Sequence, residues 1–126
     1  MKIVLLIIRL LLGLVFFVFG LNAFLNFIPA VLPSGMAGDY VKILVQSQYV
    51  LFIGGFQVIG GALLLVNRYV PLGLTVLGPV IVNILLYHLL LSHMGSSVAI
   101  LVAIFWGVLA FHHRQYFASL FVQRTS

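Results

Sequence analysis

Six polar side chains stand in stretches of sequence that are otherwise apolar, and these residues are the candidates for binding a ligand. They are Arg9, Asn22, Gln57, Asn83, Tyr87 and His88. A polar group in an apolar setting costs free energy unless it forms hydrogen bonds. A ligand, a neighbouring helix or the headgroup layer of a membrane could each provide those bonds, and the sequence leaves the three sources open.

The rest of the composition restricts the chemistry. The chain has no cysteine, and Asp39 is its single acidic residue. Paired-carboxylate acid–base catalysis, thiol chemistry, thiolate metal sites and iron–sulfur clusters are therefore excluded. Hydrolytic triads, Walker loops and the GxGxxG fingerprint are also missing. We predict no catalytic residue and no metal site, so any chemistry would come from a bound cofactor or a partner chain.

The balance of apolar and charged residues indicates a membrane protein. Hydrophobic residues make up 64% of the 126-residue chain and charged residues only 6%. Soluble domains contain roughly a quarter charged residues, so this chain could not cover a water-facing surface. Lipid is the solvent that suits it.

Four apolar runs are each close to the roughly 20 residues that a helix needs to cross a bilayer. They cover about residues 3–27, 49–66, 70–91 and 97–117. Apolar and polar residues do not alternate strictly, which favours helices over the strands of a barrel. We predict an all-α fold, a membrane-embedded four-helix bundle that forms a single domain over residues 1–126.

The connections differ in length. Asn67 and Arg68 form a short turn between helices two and three, and Pro71 suits the first turn of helix three. Residues 28–48 form the one long loop, which we expect to lie at the membrane interface. Its second half predicts a short helix that has four apolar or aromatic residues on one side, namely Met36, Tyr40, Ile43 and Leu44.

The distribution of cations predicts the orientation in the membrane. With four spans both termini share one side, which holds five of the six basic residues, Lys2, Arg9, Arg68, Arg114 and Arg124. The other side holds Lys42 and Asp39. The positive-inside rule therefore places both termini in the cytoplasm of a multi-pass protein of the inner (plasma) membrane. The cations are spread singly along the chain, so no nucleic-acid partner is predicted.

Arg9 lies within the first predicted span, where a cation is costly. In one interpretation it extends to the cytoplasmic headgroups. In the other it faces the bundle interior, because it shares a helical face with several small and aromatic residues, Gly13, Phe16, Gly20, Ala23 and Phe27. No acid within the spans can pair with it, so backbone carbonyls, Gln57 or a bound anionic group would have to accept its hydrogen bonds.

Helix two carries glycines beside an amide. Gly54, Gln57 and Gly61 share one face. Glycines let a neighbouring helix approach closely, and an amide can form an interhelical hydrogen bond. We expect the glycines to be packing positions, and we leave open whether Gln57 packs or binds a ligand.

The outer half of the predicted bundle collects polar residues that could line a ligand vestibule under the long loop. They are Asn22, Asn26, Tyr49, Asn83, Tyr87 and His88. Asn83 follows Pro79 by one turn and is expected to lie deeper than Tyr87 and His88, which suit the membrane interface. The alternative is that these groups only bond to one another or face headgroups.

Four histidines raise the question of haem. His88 and His93 belong to the outer side of the predicted bundle, whereas His112 and His113 belong to the inner end of helix four. Two imidazoles at one depth are needed for bis-histidine ligation inside a bundle, so no haem is predicted within one copy of the chain. His112 and His113 most simply anchor a helix end at the headgroups.

Three segments resemble the DoxX family of small four-helix membrane proteins. They are RLLLGLVFFVFGLNAFLNFIP, GGFQVIGGALLLVNRYVPLGL and GPVIVNILLYHLLL, which together with helix four cover most of the chain. The resemblance implies a four-helix bundle. It also implies a role beside redox enzymes, since some members are subunits of quinone-linked sulfur-oxidising complexes and others belong to oxidative-stress complexes. Members commonly have a lysine near Ala23 and a glutamate near Gln57, and losing both removes a buried charge pair or a proton-handling site.

Our leading hypothesis is a DoxX-like subunit of a membrane redox complex that does not catalyse alone. It would bind an apolar or quinone-like ligand through Arg9, Gln57, Asn83 and His88, with Asn22 and Tyr87 nearby. Partner subunits or a second copy of the chain would complete the complex. The alternative is a structural or assembly protein of the membrane that has no small-molecule ligand and uses its polar groups to join helices.

Overall fold

Every described stretch longer than a turn is helical. The computed structural model describes residues 2–26, 34–91 and 96–121. The helices are α1 (Lys2–Leu25), α2 (Met36–Gln46), α3 (Tyr49–Val66), α4 (Val70–Leu86), α5 (Ser96–His112) and α6 (Arg114–Phe117). A π-helical turn, Tyr87–Leu91, extends α4, and a 3₁₀ turn, Ala118–Phe121, follows α6. No strand occurs in these three ranges, so the all-α prediction is confirmed for the described residues.

Three of the helices are long and apolar enough to cross a membrane. They are α1, α3 and α4 with its π-helical turn, which have 24, 18 and 22 residues. At a rise of 1.5 Å per residue they span about 27–36 Å, against about 30 Å of hydrocarbon. The fourth predicted span, 97–117, is divided, because α5 has 17 residues and a turn at His113 separates it from α6. The structure is therefore compatible with insertion into a membrane.

The turn between α3 and α4 forms as the sequence indicates. Asn67 has a positive φ of 57° and ends α3 in the left-handed conformation. The Arg68 backbone N–H then donates to the Leu63 carbonyl at 3.2 Å, which satisfies one of the free carbonyls of the helix end. Tyr69 also has a positive φ, and Pro71 lies in the first turn of α4. The predicted two-residue connection is thus a three-residue turn.

Glycines bring α1 and α3 into backbone contact. A Cβ at Gly61 would lie 2.6 Å from the Phe17 nitrogen and 2.7 Å from the Gly13 carbonyl oxygen. Seven residues along each helix the arrangement repeats, because a Cβ at Gly20 would lie 2.7 Å from the Gly54 carbonyl oxygen. The pairs 13–61 and 20–54 make the two helices antiparallel. The packing role predicted for Gly54 and Gly61 is confirmed.

The other long helices complete a ring of contacts. Helix α3 packs on α4, α4 packs on α5, and α5 packs on α1 less extensively than α3 does. Trp106 of α5 lies against Gly78 of α4, and its Nε1 donates to the Leu74 carbonyl at 2.8 Å. The core between the helices is aliphatic and aromatic, with its most deeply buried members at Leu12, Phe16, Leu64, Leu74, Leu77 and Leu109.

Large apolar side chains also cover the outside of the helices. Phe52 on α3 is 72% exposed, and α5 exposes Ile100 and Ile104. Among the residues that the structure describes, no polar or charged side chain is fully buried. An apolar exterior around an apolar core is the arrangement expected of helices surrounded by lipid.

Helix α2 forms from the second half of the long loop, as predicted. It packs on α3 and on the π-helical turn. Ala37 and Gly38 are buried there, and Tyr40 and Leu44 are half-buried. The rest of the predicted face turns away, since Met36 and Ile43 are exposed. Residues 28–33 of this loop, and residue 27 before it, lie outside the described residues.

Candidate functional site

The helix assembly has two chemically different ends. One end, which we call the basic end, holds Lys2, Arg9, the turn at Asn67–Tyr69, His112, His113 and Arg114. The other end, which we call the α2 end, holds α2 and the π-helical turn. The structure separates the six predicted ligand residues into three spaces and one isolated position, so they do not form one site.

A central cavity of about 310 Å³ lies where α1, α3, α4 and α5 meet. Among the described residues, its walls are apolar except at two positions. The lining residues are Val15, Phe16 and Phe19 from α1, Gln57 from α3, Ile84 and His88 from α4 and its extension, and Val98, Ala99 and Val102 from α5. Small-molecule sites in proteins typically enclose about 300–1,000 Å³ and combine apolar walls with a few polar groups. The central cavity has these properties.

Gln57 and His88 are the two polar side chains of this lining, and both are half-buried. The structure thus brings together two residues that stand 31 positions apart in the sequence. His88 lies in the π-helical turn Tyr87–Leu91. Such turns are rare, and they are frequent at functional sites because they displace side chains from the faces that a regular α-helix would give them.

The imidazole of His88 has one nitrogen without a hydrogen bond. Its Nδ1 is buried and has no partner among the described residues. An N–H at that position would be a buried donor without an acceptor, which costs more than leaving a bare ring nitrogen there. The neutral ring is therefore expected to carry its proton on Nε2, where it can be donated to an acceptor such as a carbonyl oxygen.

An apolar cleft continues from the central cavity between α1 and α5. It encloses about 250 Å³ and shares Val15, Phe19, Val98 and Val102 with the central cavity. Its other lining residues are Leu11, Leu12, Leu101 and Phe105, so all of its walls are apolar. The two spaces together fit a molecule that has a polar head and an apolar tail, with the head in the central cavity and the tail in the cleft.

Asn83 and Tyr87 lie in a groove between α2 and α4. The Asn83 Nδ2 donates to the Tyr40 hydroxyl at 3.1 Å, and the Tyr40 and Tyr87 ring centroids are 5.7 Å apart. We expected Asn83 to be a deep amide that needs a partner. It has that partner in Tyr40, but its side chain is exposed on the surface of the helix assembly rather than deep within it. His88 borders both this groove and the central cavity.

Arg9 lies at the basic end and is bonded to helix α3. It is half-buried, and its Nη1 donates to the carbonyl oxygens of Leu64 and Leu65 near the end of α3. Backbone carbonyls, one of the acceptors that the sequence left open, thus fix the guanidinium against α3. The same end contains a cavity of about 300 Å³ lined by Lys2, Leu5, Leu6, Arg9, Asn67, Leu109, His112 and His113. We call it the basic cavity.

Asn22 and Tyr49 lie apart from these spaces. Asn22 is half-buried on α1 and lines neither cavity. Tyr49 is exposed at the start of α3, and His93 lies outside the described residues. Within the described ranges, no three His, Cys, Asp or Glu side chains lie close enough to share a metal ion. Of the predicted vestibule residues, the structure brings together Asn83, Tyr87 and His88.

Sequence reasoning missed three contributors to these sites. Phe19 supplies a wall of the central cavity, Tyr40 holds Asn83, and Lys2 lines the basic cavity. Phe16 and Phe19 stand three residues apart on one helical face, which was the available signal. Tyr40 had no such signal, because its role depends on where α2 packs.

Comparisons with known proteins leave the chain to be interpreted from its own features. No protein-family model, curated protein or solved structure matches it.

Proposed function

We propose that this chain is a multi-pass protein of the inner (plasma) membrane, with α1, α3, α4 and α5 as four spans and both termini in the cytoplasm. The lengths and apolar surfaces of α1, α3 and α4 support this arrangement. Helix α5, about 25 Å long, is close to the hydrocarbon thickness and packs beside α4. The basic end would be cytoplasmic, because it gathers most of the cations.

Its function in this proposal is that of a DoxX-like subunit of a membrane redox complex that binds a quinone-like ligand. The single observation that carries the proposal is the central cavity with Gln57 and His88 on otherwise apolar walls. A quinone has a flat ring with carbonyl oxygens and an apolar tail. The ring suits the cavity beside Phe16, and the tail suits the apolar cleft between α1 and α5.

Gln57 and His88 would orient the ligand through its carbonyl oxygens. The Gln57 amide N–H donates to one oxygen, and His88 Nε2–H donates to another acceptor of the ring. Because both donors lie among apolar side chains, their hydrogen bonds are little weakened by competing water. In the absence of the glutamate common near position 57, His88 is the one titratable side chain lining the cavity that can exchange a proton with a reduced ligand.

The protein would not catalyse alone. Asp39 is the sole acidic residue of the chain and lies on α2, away from the central cavity. None of the described side chains that line the cavity is redox-active, so electrons for the ligand would come from a partner subunit.

The test is ligand retention by the purified protein. Protein extracted in mild detergent is expected to carry quinone detectable by mass spectrometry, and added decylubiquinone is expected to raise its Tm. At 100 times Kd, a ligand adds about 2.7 kcal/mol of stability. His88→Leu and Gln57→Leu should abolish this shift, whereas His112→Leu, which lies outside the cavity, should keep it. Absence of quinone together with no shift in the unaltered protein would refute the proposal.

A structural or assembly role is the alternative, and a specific observation favours it. The polar groups of Arg9, Asn83 and Tyr40 are bonded between helices, as they would be if their role were to join them. Under this alternative, replacing Asn83 and His88 by leucine lowers stability but leaves the complex active. Under the quinone proposal, His88→Leu removes activity from the complex at unchanged protein level.

A further inference from the structure

The basic cavity has a composition that the quinone proposal does not use. Lys2 and Arg9 place two full positive charges around one space, and the imidazoles of His112 and His113 border it. None of its lining residues is acidic. The only acidic side chain in the sequence, Asp39, lies on α2 at the opposite end of the assembly.

The positive charges of this cavity therefore lack a counter-charge from a side chain. Like charges around a half-buried space repel each other, and a bound anion would remove that repulsion. His112 and His113 provide no negative charge either. The His113 Nδ1 lies 2.8 Å from the Leu109 carbonyl oxygen and so donates its proton there, while Nε2 remains for another partner.

Arg9 is held in a position to bind such an anion. The hydrogen bonds it makes with the described residues use Nη1 alone, and their acceptors are the Leu64 and Leu65 carbonyls. These contacts fix the guanidinium plane and leave Nε and Nη2 as donors. A planar guanidinium with two donors in fixed geometry matches the oxygens of a phosphate group.

The apolar part of the lining indicates what the anion is attached to. Leu5, Leu6 and Leu109 share the cavity with the cations, and Leu6 is 45% exposed on the outer surface of α1. The cavity thus joins a cationic interior to a surface that would contact acyl chains. Basic pockets between helices at the cytoplasmic face are suited to anionic lipid headgroups.

We propose that the basic cavity binds a phosphate group through Lys2 and Arg9. The headgroup of an anionic phospholipid and a free phosphate compound share this chemistry, and the experiment below distinguishes them. The site is independent of the quinone proposal, because it lies at the other end of the assembly and shares no residue with the central cavity.

The experiment measures lipid binding to the purified full chain by native mass spectrometry in detergent. The probes are dioleoylphosphatidylglycerol, dioleoylphosphatidylcholine and inorganic phosphate. Both lipids carry a phosphate, but the choline cation of the zwitterionic lipid is repelled by Lys2 and Arg9, so we expect the anionic lipid to bind about tenfold more tightly. Arg9→Gln should weaken the anionic lipid about tenfold, and the double variant Lys2→Gln/His112→Gln should weaken it several-fold.

Arg68→Gln is the matched control, because Arg68 is an exposed cation of the same end that does not line the cavity. It should leave the Kd within about twofold. If Arg9→Gln does not fold, the double variant tests the site by itself. If inorganic phosphate binds while neither lipid does, and the same variants lose that binding, the phosphate site stands and its ligand is a soluble phosphate compound. Equal binding of the two lipids, or equal weakening by Arg68→Gln and the double variant, would overturn the proposal.

Discussion

Tyr40 and Asn83, 43 residues apart in sequence, bond to each other through both polar groups of the amide. The Asn83 Nδ2 donates to the Tyr40 hydroxyl at 3.1 Å, and that hydroxyl lies 3.4 Å from the Asn83 Oδ1. The pair ties the short helix α2 to the long helix α4. It also fixes the Tyr40 ring beside Tyr87, so α2 covers the groove that His88 borders.

Removing the Tyr40 hydroxyl should loosen α2 without changing the long helices. We expect Tyr40→Phe to lower the free energy of unfolding by about 0.6–2 kcal/mol, the range for interhelical hydrogen bonds in membranes. Amide hydrogen exchange should rise within Met36–Gln46 and stay unchanged in α1 and α3. Tyr69→Phe is the control, because Tyr69 is 73% exposed in the turn before α4. Equal effects of the two variants would contradict the role of the Tyr40–Asn83 bond.

The contact between α1 and α3 should tolerate no added side-chain atom at Gly61. Gly61→Ala would place its Cβ 2.6 Å from the Phe17 nitrogen and 2.7 Å from the Gly13 oxygen, which are backbone atoms that cannot rotate away. We expect the helices to separate, with a loss of about 1–3 kcal/mol on the scale of overpacked cores.

Gly55→Ala provides the comparison for this prediction. A Cβ at Gly55 would meet no atom within 4 Å beyond its own stretch of helix, so Gly55→Ala should change the free energy of unfolding by less than about 0.5 kcal/mol. The Tm of both variants is measured by thermal unfolding that is monitored by circular dichroism. Similar Tm values for the two variants would show that the glycines do not set the helix spacing.

Trp106 joins α5 to α4, and its fluorescence is a probe of that contact. Trp106→Phe removes the Nε1–H that donates to Leu74 at 2.8 Å, together with part of the ring that lies against Gly78. We expect a loss of about 0.5–1.5 kcal/mol for the hydrogen bond, measured by chemical denaturation. Phe52→Leu, which trims an exposed aromatic ring on α3, should cost less. Since Trp106 is the sole tryptophan, its fluorescence in the unaltered protein reports directly on the α4–α5 contact.

The sequence determined those features that depend on local chemistry. Asn67 and Pro71 mark the end of α3 and the start of α4, because one residue accepts a left-handed conformation and the other cannot continue a helix. Gly54 and Gly61 predicted a packed helix face, since glycines in membrane helices let a neighbouring helix approach closely. The backbone carbonyls that accept the Arg9 hydrogen bonds were among the predicted acceptors, because no acid within the spans can pair with this cation.

The sequence could not determine features that depend on how distant segments meet. His88, which lines the central cavity together with Gln57, lies in a π-helical turn, and no residue pattern predicts where a helix takes in one extra residue per turn. The exposure of Asn83 on the surface of the helix assembly was not predicted, for a similar reason. Counting residues from Pro71 gives a height along the helix, but it does not tell which side faces the neighbours or that Tyr40 lies opposite.

The orientation in the membrane is testable with single cysteines, because the unaltered chain has none. Three exposed positions suffice, with Lys42→Cys on α2, Arg68→Cys in the turn after α3 and Gln115→Cys on α6. In cells with an intact inner membrane, a maleimide that cannot cross it should label position 42 and leave position 68 unlabelled. After permeabilisation, both should react.

Gln115→Cys decides whether α5 crosses the membrane as a fourth span. If it does, position 115 lies on the same side as position 68 and should react only after permeabilisation. If α5 stayed on the side of α2, position 115 would react in intact cells together with position 42. We expect protection, because the packing of α5 on α4 places α6 at the basic end, beside Arg9 and the turn at Asn67. A cation-rich end on the outer side would violate the positive-inside rule, and labelling at positions 68 and 115 in intact cells would establish that inverted orientation.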